Sequence, residues 1–155
     1  MDPKVFLLAD DDSDDREMFC EALTSINKSI TCHCATDGRD ALKMLNGLPE
    51  KPQLIFLDVN MPVVNGWQCL KLLKEDERYK QIPVIIISTS SHRREMDIAG
   101  ELGALCYFTK PTDFNDLTRV LQVIVANLSA GLEAALQNLQ ARGCQFIYAF
   151  SKGTK

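Results

Sequence analysis

The chain has 155 residues, of which 46% are hydrophobic and 25% charged, with a formal net charge of −4. That balance suits one soluble globular domain with a real core and a short appendage. Negative charge without a Lys/Arg cluster argues against nonspecific nucleic-acid binding. No apolar run approaches the roughly 20 residues of a membrane helix, and no secretory signal opens the chain, so a cytoplasmic protein is expected.

Val5 to Ala9 is a continuous apolar run, as expected for a strand buried on both faces. It ends in a pile of carboxylates, Asp10, Asp11 and Asp12, followed by Asp14, Asp15 and Glu17. Met18, Phe19, Ala22, Leu23 and Ile26 then recur at helical spacing, with Asp12 or Ser13 as the N-cap. Ile30 to Ala35 reads as a second strand. "TDGRDALKMLNG" gives a short helix with Ala41, Leu42 and Leu45 inward, closed by Gly47.

"PQLIFLD" is the third strand and ends at Asp58. "VNMPVVNG" is a loop by its Pro, Asn and Gly, and Trp67 to Leu73 supplies a helix in which Trp67 is structural. "PVIIIS" is the fourth strand. A weakly patterned helix follows from about Ser91 to Leu102, and "CYFTKP" is the fifth strand. Phe114 to about Ala126 forms the next helix, with Leu117, Val120, Leu121 and Ile124 inward.

A regular (βα)5 alternation specifies an α/β fold, a parallel five-stranded sheet covered by helices on both faces. The expected form is doubly wound, in the flavodoxin-like order 2-1-3-4-5. Residues 1–128 are expected to make this domain and residues 129–155 a C-terminal extension. In the extension, Leu128, Leu132, Leu136 and Leu139 stack at helical spacing, "CQFIYAF" is β-prone, and "SKGTK" looks frayed. This stretch is expected to lengthen the last helix, to contact a second copy in a homodimer, or to be foreign to the natural protein.

The six cysteines, Cys20, Cys32, Cys34, Cys69, Cys106 and Cys144, contain no CxxC pair. Cys32-His33-Cys34 has the look of a ligand set, but on a strand both cysteines face one way and His33 the other. All six are read as reduced thiols of a cytosolic protein.

Parallel strands end at one sheet edge, where ligands bind in open α/β folds. The residues gathered there are Asp10, Asp11 and Asp12 from the first strand, Asp58 from the third, Ser88 and Thr89 from the fourth, and Lys110 from the fifth. Two carboxylates ~5 Å apart repel by about 3 kcal/mol at an effective dielectric of ~20, so a cation is expected to offset them. Carboxylate oxygens of this kind suit a hard divalent ion, and Mg²⁺ that keeps several waters fits best. A carboxylate beside Mg²⁺, an ammonium and a hydroxyl is equipped to attack phosphorus and to stabilise the phosphoryl oxygens.

These residues resemble, over about residues 4 to 127, the response-regulator receiver domain of bacterial two-component signalling. The family's paired acidic residues match Asp10 and Asp11, and its phosphoacceptor matches Asp58 in "LIFLDVNMPVVNG". Asn60 matches the position that lends a main-chain carbonyl to the metal. Ser88, five residues after Pro83, matches the Thr/Ser at the end of strand 4, and Lys110-Pro111 matches the Lys-Pro pair. Tyr107 matches the aromatic switch position. Ser88 stands where Thr is commoner, and Thr112 where an aromatic is frequent. The resemblance implies a Mg²⁺-dependent switch that takes a phosphoryl group from a sensor histidine kinase or phosphotransfer protein. It implies signalling to a downstream protein by conformational change, with self-catalysed transfer and autodephosphorylation but no turnover enzyme activity. No nucleic-acid or membrane partner is expected.

Plainer readings compete at some positions. Asp14, Asp15 and Glu17 are expected to be solvated residues at a helix N-terminus, Ser88 is a rival helix cap, and Tyr107 a rival core residue. An EF-hand reading of Asp10, Asp12, Asp14 and Glu21 fails because Asp15 occupies the position that needs Gly, and a strand precedes the loop. A haloacid-dehalogenase-type phosphohydrolase with Asp10 as nucleophile is the alternative function. Its motif needs Thr or Val where Asp14 stands, and it has no use for Asp58.

Overall fold

Strands that are apolar along their whole length must be covered on both faces, and the helices between them do this. The computed structural model describes residues 4–150. Its parallel strands are β1 (Lys4–Ala9), β2 (Ile30–Ala35), β3 (Leu54–Asp58), β4 (Val84–Ser88) and β5 (Cys106–Thr109). They alternate with α1 (Ser13–Ile26), α2 (Gly38–Gly47), α3 (Gly66–Glu75), α4 (Arg93–Glu101) and α5 (Phe114–Ala126). The parallel strands lie in the order β2-β1-β3-β4-β5, as expected.

The two-residue period of each strand divides the core into two layers. Phe6, Leu8, Phe56, Ile87 and Phe108 point toward Phe19 and Leu23 of α1 and Leu117 and Leu121 of α5. Leu7, Ile55, Leu57, Ile86 and Tyr107 point toward Ala41 of α2, Leu70 of α3 and Ala99 of α4. Asp12, not Ser13, caps α1, its side chain accepting from the backbone N–H groups of Asp14 and Asp15. The fourth helix starts later than the expected Ser91, at Arg93. His92 holds the N-cap position without a side-chain hydrogen bond.

The C-terminal segment does not lengthen α5. The chain turns over residues 127–131, where Gly131 takes the left-handed backbone at φ 80°, a conformation glycine adopts at little cost. It then forms α6 (Leu132–Ala141) and β6 (Ile147–Ala149). β6 pairs antiparallel with β5, placing Tyr148 opposite Tyr107, and the sheet gains a sixth strand. Leu132, Leu136 and Ile147 are buried in the α1–α5 layer, with Leu128 and Leu139 partly buried against it. Burying a side chain of this size contributes roughly 1.5–3 kcal/mol. The leucine stripe that motivated a homodimer is therefore packed within one copy. The expected fraying of residues 151–155 lies outside the described residues. Among those described, no helix is long and apolar enough to cross a membrane.

Candidate functional site

The carboxyl ends of β1, β3, β4 and β5 carry the polar residues, and the sheet register brings them together. Asp10 follows β1 directly and is 1% exposed, while Asp58 closes β3 and is 7% exposed. Asp11 lies beside them in solvent, and oxygens of Asp10, Asp11 and Asp58 lie within 4.8 Å of one another. Such a set of hard oxygen donors, partly open to water, fits a small divalent cation.

Lys110 supplies the counter-charge. Its Nζ donates to Asp10 Oδ2 at 2.7 Å and to Asp15 Oδ2 at 2.9 Å, and lies 3.7 Å from Asp58 Oδ2. Burial works against the ammonium charge, but the carboxylates of Asp10, Asp15 and Asp58 outweigh it and hold Lys110 above the ordinary lysine range. Asp10 is gripped at its other oxygen too, where Oδ1 accepts from the Asp12 N–H at 3.0 Å, and the Arg16 guanidinium donates to its backbone oxygen at 2.7 Å. Asp58 has the opposite character. Its carboxyl is raised to about 7, chiefly by burial and further by the charges of Asp10 and Asp11, with Lys110 opposing them.

Ser88 ends β4 and is 1% exposed, and its Oγ accepts from the Ser90 N–H at 3.1 Å. Tyr107 is fully buried, and its hydroxyl lies 2.7 Å from the Ser90 carbonyl oxygen and 3.0 Å from Glu95 Oε1 of α4. Burial pushes the phenol up to about 12. Tyr107 thus joins the segment after β4, through Ser90 two residues beyond Ser88, to α4 through Glu95.

The loop after Asp58 folds back tightly. The Gly66 N–H donates to the Val59 carbonyl at 3.0 Å, and a Cβ on Gly66 would press into the Asp58 carbonyl oxygen. Within the loop, Val63 takes φ 66° and is 68% exposed, with the Val64 N–H bonded to the Pro62 carbonyl at 2.7 Å. A β-branched residue in that region is strained. Asn60 lies exposed in the same loop.

The structure therefore gathers Asp10, Asp11, Asp58, Ser88 and Lys110 at one edge, with Tyr107 bonded to the segment just after Ser88. Asp15 is the residue that sequence reasoning misplaced. In the first turn of α1, it turns back toward the sheet edge and binds Lys110 instead of facing only water. The available signal was its position five residues after Asp10, in the first turn of a helix that starts at the site.

A family model for the response regulator receiver domain matches residues 6–122. Response regulator Rcp1 of Synechocystis sp. is 32% identical over 127 residues, covering 79% of this chain and 86% of that protein. Protein PilH of Pseudomonas aeruginosa is 31% identical over 104 residues, covering 63% of this chain and 86% of that one. Among solved structures, the Mn²⁺-bound form of Rcp1 superposes with a TM-score of 0.71 at 30% identity, covering 80% of this chain and 93% of that one. The phosphorylated cyanobacterial phytochrome response regulator RcpA gives 0.73 at 28% identity, covering 79% and 91%.

The chain belongs to the response regulator receiver family. It is a phosphorylation-activated signalling switch, and nothing in the comparisons favours a phosphohydrolase.

Proposed function

We propose that Asp58 is the phosphoacceptor and that the reaction requires Mg²⁺. Asp10, Asp11, Asp58 and the main-chain carbonyl of Asn60 would hold the metal, and Ser88 and Lys110 would contact the phosphoryl oxygens. The observation that carries this reading is the contrast between the two buried carboxylates. Asp10 is held at both oxygens, by Lys110 and by the Asp12 N–H. Asp58 stands 3.7 Å from Lys110, with its charge only partly compensated. The more loosely held oxygen is the better nucleophile, and this weighs against Asp10 in that role.

A carboxylate oxygen of Asp58 attacks phosphorus as the donor's bond to phosphorus breaks, and the leaving group departs with that electron pair. Lys110 neutralises charge on the transferred group from one side, and the bound divalent ion supplies Lewis-acid neutralisation at the carboxylates. The Ser88 hydroxyl leaves the Ser90 N–H to donate to the phosphoryl group. Because the Tyr107 hydroxyl bonds to the Ser90 carbonyl, that movement reaches α4 and β5. Supporting this, the Mn²⁺-bound Rcp1 and phosphorylated RcpA structures share the fold of this chain.

The partners this reading calls for are a sensor histidine kinase or phosphotransfer protein upstream and a protein target downstream. Residues 1–128 act as the receiver and residues 129–155 as an extension to it. The protein cycles by its own dephosphorylation and does not turn over free phosphomonoesters. A small phosphodonor such as acetyl phosphate with Mg²⁺ should give a base-labile acyl phosphate on Asp58 alone, located by borohydride trapping and peptide mass spectrometry. Label on Asp10, or labelling that survives Asp58→Asn, overturns the assignment.

A further inference from the structure

A second cluster of ligand-type side chains lies between α1 and β2, one helical turn along α1 from Arg16. Cys20 projects from α1, and Cys32 and Cys34 from one face of the edge strand β2. The three sulfurs lie within 4.8 Å of one another, and Cys20 Sγ is 3.2 Å from Cys34 Sγ. All three are half-buried. A concavity of about 810 Å³ opens onto Cys20 and Cys34, with Arg16, Glu17, Glu21 and Lys28 also on its wall. Three thiolates around one ion at ~2.3 Å each stand ~4 Å apart, within the 4.8 Å that bounds this cluster.

We propose that Cys20, Cys32 and Cys34 form a three-thiolate site for a soft d¹⁰ metal ion, and that Cu(I) is the ion it suits best. Thiolate donors select Cu(I) and Zn(II) over hard cations. Zn(II) in protein sites takes four ligands. No carboxylate or imidazole of the described residues joins the three sulfurs within their radius, and His33 sits on the opposite face of β2. Zn(II) here would need water as its fourth ligand, whereas a low-coordinate ion is satisfied by the three thiolates alone. Binding releases the thiol protons to water. The occupied site clamps α1 to β2 one turn beyond Arg16 and Asp15, which touch the phosphoryl site. It does not depend on the phosphotransfer reading.

The test is Cu(I) titration of the reduced full chain against a chromophoric Cu(I) chelator, with Zn²⁺ titrated in parallel. One Cu(I) per chain is expected, and X-ray absorption should show sulfur-only coordination by three ligands. Cys20→Ser, Cys32→Ser and Cys34→Ser should each weaken binding by at least roughly 100-fold, while Cys144→Ser leaves it unchanged. Circular dichroism verifies that the variants fold, and the absorption spectrum of the unmutated chain tests the site without them. Uptake indifferent to Cys32→Ser and Cys34→Ser overturns the proposal, as does preference for Zn²⁺. So does a chain that takes no Cu(I) and only closes a Cys20–Cys34 disulfide when treated with peroxide.

Discussion

Replacing Asp58 by Asn should stabilise the metal-free protein, and by an amount that depends on pH. In the folded chain the Asp58 carboxyl is pushed from its ordinary 3.8 up to about 7, burial being the main cause. Between those values the folded state holds a proton that the unfolded state has lost. Stability therefore falls as pH rises through this window, and the full penalty is present above it. A shift of that size corresponds to about 4 kcal/mol. Lys110 does not confuse the measurement. Its raised value adds stability that persists below the ordinary lysine range and is lost only as pH rises through its still higher folded value. The amide that Asp58→Asn introduces has the shape of the carboxylate but no charge to desolvate. Part of the gain is lost because the amide no longer attracts Lys110, so about 2–3 kcal/mol should appear at pH 8 and almost none at pH 4. At roughly 2–4 °C per kcal/mol, the thermal midpoint should rise by about 4–12 °C. The assay is thermal unfolding of both proteins in chelator at the two pH values. Adding Mg²⁺ at about a hundred times its dissociation constant should then return about 2.7 kcal/mol to the natural chain and less to Asp58→Asn. An equal effect at pH 4 and pH 8, or a variant less stable at pH 8, refutes the reasoning.

Three further outcomes follow from the same structure. Lys110→Met leaves Asp10, Asp15 and Asp58 without their shared cation and should destabilise the metal-free chain by about 3–5 kcal/mol in chemical denaturation. It should still bind Mg²⁺, seen as a stabilisation at least as large as that of the natural chain. Val63→Gly removes a β-branched residue from φ 66° and should stabilise by about 1 kcal/mol, provided the loop keeps its turn. A loss of stability would show that the turn depends on the valine side chain. Truncation after Leu128 uncovers the edge of β5 and the part of α5 beneath Leu132 and Leu136. It should lower the thermal midpoint by several degrees and promote association in light scattering, whereas the full chain should be monomeric at the same concentration.

The parallel part of the fold was legible because each strand is a short, uninterrupted apolar run bounded by turn residues, and each helix shows its inward face at 3.6-residue spacing. The site was legible for a related reason. Once strand order is known, the last residue of each strand must lie at one edge, so Asp10, Asp58, Ser88 and Lys110 converge without any knowledge of side-chain direction. Periodicity could not show where the C-terminal segment goes. Leu128 to Leu139 has helical spacing throughout, and only Gly131 marks the point where α5 ends and the chain reverses. "CQFIYAF" is visibly β-prone, but pairing depends on which sheet edge is free, and that is a property of the assembled domain. Asp15 and Cys20 escaped for a similar reason, since each matters through a partner on another element, Lys110 in one case and Cys34 in the other.

The position of Lys110 has a consequence for how the switch is set. In this structure its ammonium is shared by Asp10 and Asp15 at 2.7 and 2.9 Å and lies farther from Asp58, at 3.7 Å. Asp10 is also one of the three carboxylates grouped for a metal. Any cation bound there competes with Lys110 for Asp10, and each takes over part of the neutralisation that the other provides. Metal binding should therefore loosen the Asp10–Lys110 pair and leave the ammonium free to follow charge that develops at Asp58. Asp15 gives it a second anchor on α1, which limits how far it can travel. Lys110 thus offsets part of the repulsion among these carboxylates without metal, and on the proposed assignment it is also the group that would meet the phosphoryl charge.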